Sequence, residues 1–76
     1  MKKVIVITGA SDGLGKTLTE SLSKENNVIA LATTEEKLQK VAEDNNCNYK
    51  VCDVSDYHQV EKCTNEIIEE FGKIDI

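Results

Sequence analysis

Proline is absent from the 76 residues, and no low-complexity stretch interrupts them. Both absences argue against a linker or a disordered tail. Hydrophobic residues at 39% and charged residues at 30% are the proportions of an ordinary folded chain. Basic residues are outnumbered, with 9 Lys and Arg against 14 Asp and Glu and a net charge of -5. Without a clustered basic face to neutralise phosphates, nucleic acid is not expected as a partner. A long hydrophobic run is also missing. Met1-Lys2-Lys3 followed by Val4 to Ile7 opens like a signal peptide, but the apolar part falls short of the roughly 7–15 residues of an h-region and the about 20 of a membrane span. The run reads as a strand, so no membrane partner and a cytoplasmic location are expected. Cys47, Cys52 and Cys63 are odd in number and lack C-x-x-C spacing, which indicates neither a disulfide framework nor a zinc site. His58 is the single histidine and has no Ser, Cys or acid at a spacing that implies a catalytic unit. It reads as a surface residue. The Glu66, Glu69 and Glu70 cluster reads as a solvated face, and no metal site is expected.

What is present alternates in type. Val4 to Ile7 is continuously apolar and β-branched, the pattern of a parallel strand covered on both faces. A helix is expected from about Gly13 to Lys24, with Leu14, Leu18 and Leu22 forming its apolar stripe. Val28 to Ala32 reads as a second buried strand. Thr33 or Thr34 opens a second helix, Thr33-x-x-Glu36 having capping-box spacing and Leu38, Val41 and Ala42 supplying the inward face. A third strand, about Asn48 to Asp53, alternates polar and apolar residues around Lys50, as an edge strand does. The third helix, about Ser55 to Phe71, places Val60, Cys63, Thr64, Ile67, Ile68 and Phe71 on one stripe. Ile74 to Ile76 can begin only a stub of a fourth strand.

This β-α-β-α-β-α pattern predicts an α/β fold, a Rossmann-type doubly wound parallel sheet, as one domain over residues 1–76 with strand order 3-2-1. At this size folding hides only about 60% of the unfolded chain's surface. The unit reads as truncated, and a stub of strand four would leave strand one as an open apolar edge. Such edges recruit partners. The expectation is a homo-oligomer, joined through strand one or through an exchanged C-terminal segment.

Val4 to Lys16, VIVITGASDGLGK, carries the functional signal. A strand feeding a glycine turn and a helix start builds a phosphate cradle, because unpaired terminal N–H groups and the positive end of the helix dipole converge on one anion. Gly9 permits the positive φ that a tight turn needs, Gly13 lets backbone amides approach a pyrophosphate, and Gly15 lets helix and strand pack closely. The spacing Gly9-x-x-x-Gly13-x-Gly15 differs from the G-x-G-x-x-G dinucleotide fingerprint. A second reading is available: Ala10-x4-Gly15-Lys16-Thr17 has the spacing of a P-loop with alanine in place of the first glycine. Lys16 would then reach the β- and γ-phosphates of ATP or GTP, and Thr17 would bind Mg²⁺. A third is a non-catalytic nucleotide-binding or assembly module.

Thr8-Gly9-Ala10-Ser11-Asp12-Gly13-Leu14-Gly15 resembles the Thr-Gly-x-x-x-Gly-x-Gly motif of the short-chain dehydrogenases/reductases. Cys52-Asp53-Val54-Ser55 is similar to that family's Asp-Val segment at the adenine pocket, and Phe71-Gly72-Lys73-Ile74-Asp75-Ile76 to its entry into strand four. The resemblance implies the NAD- or NADP-binding portion of an oxidoreductase that moves hydride between nicotinamide and a carbonyl or alcohol carbon. It assigns the cofactor to Gly9, Ser11, Asp12, Gly13, Leu14, Gly15, Thr33, Asp53 and Val54. Ser11 and Asp12 would give mainly backbone N–H groups, and Leu14 would close over the pyrophosphate. Asp53 would accept from the adenine amino group beside the Val54 backbone, although an Asp there could instead cap helix three, as could Ser55 or Asp56. The family's catalytic Ser and Tyr-x-x-x-Lys have no counterpart: Asp53 stands four residues after Tyr49, and Glu61 four after Tyr57. The chain alone is therefore expected to lack turnover. The end of strand two, Ala32-Thr33-Thr34, has no acid for a ribose 2′-OH, which leans toward NADP. Asp12 leans toward NAD.

Overall fold

The computed structural model describes residues 2–76, which form β1 (Val4–Thr8), α1 (Gly13–Leu22), β2 (Asn27–Ala32), α2 (Glu35–Asn45), β3 (Asn48–Val51) and α3 (Tyr57–Phe71). The strands make one parallel sheet in the order β1-β2-β3. Val4 lies opposite Asn27 and Thr8 opposite Leu31, while Ile29 lies opposite Asn48 and Ala32 opposite Val51.

Alternate residues of the apolar strands supply two cores. Ile5, Ile7, Val28, Ala30 and Ala32 face Leu38 of α2, with Leu22 and Tyr49 packed against them. Val4, Ile29 and Leu31 face Cys63 and Ile67 of α3, joined by Val60 and Phe71. β2 is thus covered on both faces and paired on both edges, which is why its run is unbroken by polar residues. β3 has an outer edge. There Lys50 is held by Glu66 at 3.2 Å and Glu70 at 3.0 Å. Its ammonium pKa is raised, first by the hydrogen bond to Glu70.

Four local expectations need correction. Of the expected leucine stripe of α1 only Leu22 packs against the core: Leu14 is 75% and Leu18 40% exposed, whereas Thr19 is fully buried. The reason is Gly15, whose missing side chain draws the helix down along Gly15 and Thr19 and turns Leu14 and Leu18 outward. Thr19 meets its own need by donating to the Gly15 carbonyl at 2.8 Å. The cap of α2 is Thr34, and its side chain makes no capping bond, so no box forms with Thr33 and Glu36. On α3 the apolar stripe is narrower than expected, because Ile68 is 45% exposed.

The fourth correction concerns the open edge. The C-terminal residues lie along the side of β1 away from β2: Val6 N–H donates to the Ile76 carbonyl at 2.8 Å, and Ile76 N–H donates to that of Val4 at 3.3 Å. That alternation is the parallel-ladder pattern. The stub pairs within its own chain, so the edge of β1 from Val4 to Val6 is occupied.

Candidate functional site

β1 ends at Thr8, and the chain turns through Gly9 at φ +62° and Gly13 at φ +53° before α1 begins. A side chain is strained at either angle. Ala10, between them, is fully buried and donates its N–H to the Leu31 carbonyl at 3.0 Å, pinning the turn to β2. Gly15 has the other kind of constraint. A Cβ there would overlap the Gly9 carbonyl and stand 2.8 Å from its carbon. No larger residue lets α1 start so close to the strand.

The first amides of α1 are left without acceptors. Asp12 occupies the cap position with extended backbone, and its carboxylate makes no capping bond. The earliest backbone bond at this end is Lys16 N–H to the Asp12 carbonyl at 3.2 Å. Among the described residues, no loop carbonyl or side chain accepts from Gly13, Leu14 or Gly15. Three donors and the dipole's positive end are therefore available to an anion.

Beside them a concavity of about 300 Å³ opens over the carboxyl ends of all three strands, lined by Gly9, Ser11, Asp12, Ala32, Thr33, Thr34, Cys52, Asp53 and Val54. Six residues expected to hold a cofactor thus come together: Gly9, Ser11, Asp12, Thr33, Asp53 and Val54. Gly13 and Leu14 lie at the helix start outside this lining, and Gly15 is half-buried against the turn. Ala32, Thr34 and Cys52 complete the wall. Outside the lining, the Lys37 ammonium in the first turn of α2 stands 3.7 Å from the Asp12 carboxylate. A larger cavity of about 550 Å³ lies along the outer edge of β3, where Lys50 is already paired.

Asp53 does not cap α3. Its Oδ1 accepts from Ser55 N–H at 2.9 Å and Ser55 Oγ at 2.6 Å, and its own N–H donates to Gln59 Oε1 at 2.9 Å. These Ser55 bonds, the hydroxyl's first, hold its pKa below the ordinary value. Asp56 is the cap, accepting from the amides of His58 at 3.0 Å and Gln59 at 3.4 Å. With that task taken, Asp53 is pre-oriented as an anionic acceptor whose Oδ2 is unused. Cys52, just before it, is buried against Cys63, and burial followed by the hydrogen bond to Cys63 pushes its thiol up to about 11.

The P-loop residues do not join the site. Lys16 and Thr17 are exposed and outside the lining, and Thr17 Oγ1 donates to the Gly13 carbonyl of its own helix at 3.2 Å. Nothing in the arrangement supports that reading.

Comparison with known proteins follows the same lines. The family model described as short chain dehydrogenase matches residues 3–76. The 3-oxoacyl-(acyl-carrier-protein) reductase FabG of Buchnera aphidicola is 35% identical, over 99% of this chain and 32% of its own length. A short chain dehydrogenase/reductase of Burkholderia phymatum, solved in complex with NAD, superposes with a TM-score of 0.90 at 26% identity, over 96% of this chain and 28% of that one. A metagenomic short-chain oxidoreductase in complex with NADP superposes with a TM-score of 0.91 at 26% identity, over 96% and 36%. The chain spans about a third of the length of the curated relatives it matches.

Proposed function

The chain belongs to the short-chain dehydrogenase family, and from that membership we propose that it binds a nicotinamide dinucleotide, NAD or NADP. The diphosphate sits on the amides of Gly13, Leu14 and Gly15, with Ser11 and Asp12 contributing backbone N–H groups and Leu14 closing over it. The adenosine half fills the concavity, the adenine amino group donating to Asp53 beside Val54 and the ribose lying near Thr33. The observation that carries this reading is the set of unpartnered amides opening beside an unfilled hollow at the strand ends. The turn that aims those amides depends on Gly15, where a Cβ would overlap the Gly9 carbonyl.

A bound nicotinamide supplies a hydride donor or acceptor. This chain's own part is to hold and orient the dinucleotide, because neither tyrosine has a lysine four residues on to tune it as an acid/base. Binding without turnover is the result. Free thiols at all three cysteines support a reducing compartment, and hence the cytoplasm. Exposed Ile68 and Ile76 support self-association into a homo-oligomer, which sedimentation over a concentration series would reveal.

Calorimetric titration with NAD, NADP, ADP-ribose and Mg-ATP tests the central reading. ADP-ribose should bind about as tightly as NAD, since the residues assigned here hold the adenosine-diphosphate half. Affinity for Mg-ATP alone, or for none of the four, overturns it.

A further inference from the structure

The side chain of Gln59, in the first turn of α3, closes a ring of hydrogen bonds with the loop that carries Asp53. Its Oε1 accepts from the Asp53 N–H at 2.9 Å and its Nε2 donates to Asp56 Oδ2 at 3.2 Å, while the Asp56 N–H donates to the Asp53 carbonyl at 3.0 Å. Gln59 itself does not line the concavity. Resting on the dinucleotide reading above, we infer that Gln59 is the positioning residue that sets which purine the site accepts: through this ring it holds the Asp53 loop in register for an adenine amino group and against an oxo group in its place.

The Cys52 N–H still donates to the Ala32 carbonyl of β2, at 2.9 Å, so the Asp53 N–H is the first donor beyond the sheet. Gln59 takes it. Asp53 Oδ1 is spent on Ser55, bonds that stay inside the loop and turn the carboxylate without tying the loop to the helix. Gln59 and the Asp56 amide supply that tie. Among the described residues, what is left for a ligand is the free Asp53 Oδ2 and the neighbouring Val54 N–H, which has no acceptor. One acceptor beside one donor matches the amino group and N1 of adenine. Hypoxanthine presents an oxo group and an N1–H there, so acceptor meets acceptor and donor meets donor. Losing Gln59 blurs the pattern twice over: the loop slackens against the helix, and the released Asp53 N–H becomes a donor that an oxo group can use.

Gln59→Met keeps the length of the side chain and removes both of its bonds. Gln59→Glu alone sets a carboxylate against that of Asp56 and breaks the ring. Adding Asp56→Asn restores it in the opposite sense at unchanged net charge, because the new carboxylate accepts from the Asp53 N–H and from the new amide, whose oxygen still caps α3. The test is calorimetry on wild type, Q59M, Q59E and Q59E/D56N with NAD and with nicotinamide hypoxanthine dinucleotide. Wild type should bind NAD about tenfold or more tightly than the hypoxanthine form. Q59M and Q59E should each shrink that ratio by about threefold or more, and the double variant should regain most of it. A merely structural role would weaken both dinucleotides alike and leave the ratio unmoved. If Q59M melts below the temperature of measurement, Q59E against the double variant makes the same comparison. A wild type indifferent to the base, single variants whose ratio stays within about twofold of wild type, or a double variant that regains nothing overturns the inference while leaving dinucleotide binding intact. If wild type binds neither dinucleotide, the cofactor reading fails and takes this inference with it.

Discussion

The carboxylate of Asp75 accepts the backbone N–H of Val4 at 2.8 Å, across 71 positions of sequence. It does so while also pairing with Lys73 at 3.3 Å, and the adjoining backbone bonds run from Asp75 N–H to the Val4 carbonyl and from Val6 N–H to that of Ile76. One side chain thus fixes the register of the C-terminal segment against β1.

Asp75→Ala should loosen that segment, and the Val6 amide should lose protection from hydrogen exchange by NMR while the β2 amides keep theirs. Acid should act in the same direction. The Asp75 pKa is lowered, first by the Val4 bond and then by Lys73. A depressed folded-state pKa means that the contribution is complete above the ordinary carboxylate value and is lost as pH falls through the lower one. The Val4 amide shift should follow that titration. A Val6 amide equally protected in D75A would contradict the assignment.

Gly15→Ala and Gly9→Ala separate close approach from backbone conformation. At Gly9 the added methyl meets open space, so only the positive φ is penalised, at about 1–2 kcal/mol. At Gly15 it meets the Gly9 carbonyl, and relief requires moving backbone, at about 3 kcal/mol or more. For a chain of this length that is a large share of its stability, about 4–11 kcal/mol. Urea denaturation should rank G15A well below G9A; the reverse order would mean that α1 shifts freely.

The helix caps give a second contrast. Asp56→Ala removes the acceptor for the His58 and Gln59 amides and should cost about 1 kcal/mol. Thr34→Ala removes a side chain that makes no capping bond and should stay within about 0.5 kcal/mol of wild type. Equal losses in chemical denaturation would show that Thr34 caps in solution.

Thiol reactivity should follow burial. With the Cys52 thiol pushed up to about 11, about one in a thousand is ionised at pH 8, and the thiolate is what reacts. Iodoacetamide at that pH should reach half-buried Cys47 first, and Cys52 and Cys63 only in urea. Rapid alkylation of Cys52 in the native chain would mean that α3 lifts from the sheet.

β1 and β2 were legible as short apolar runs bounded by turn residues, β3 by its alternation around Lys50, and the glycine turn because its glycines answer to local backbone demands. Periodicity misled where a missing side chain decided the packing. Leu14, Leu18 and Leu22 spell an apolar stripe, but with Gly15 set against the turn only Leu22 of the three reaches the core. Pairings distant in sequence left no local trace: Ile76 on β1, and Lys37 on Asp12, whose lysine reads as one more surface charge until α2 is folded against the turn. Asp53 and Asp56 stand three apart with similar surroundings, and only the start of α3 at Tyr57 separates the acid that lines the concavity from the one that caps the helix.

The position of β2, enclosed on both faces and bonded on both flanks, sets how the molecule opens. No local fluctuation can bare Val28 to Leu31 without dismantling both layers at once. Deuterium uptake at those amides is therefore a clock for complete unfolding, while faster uptake elsewhere counts only partial breathing.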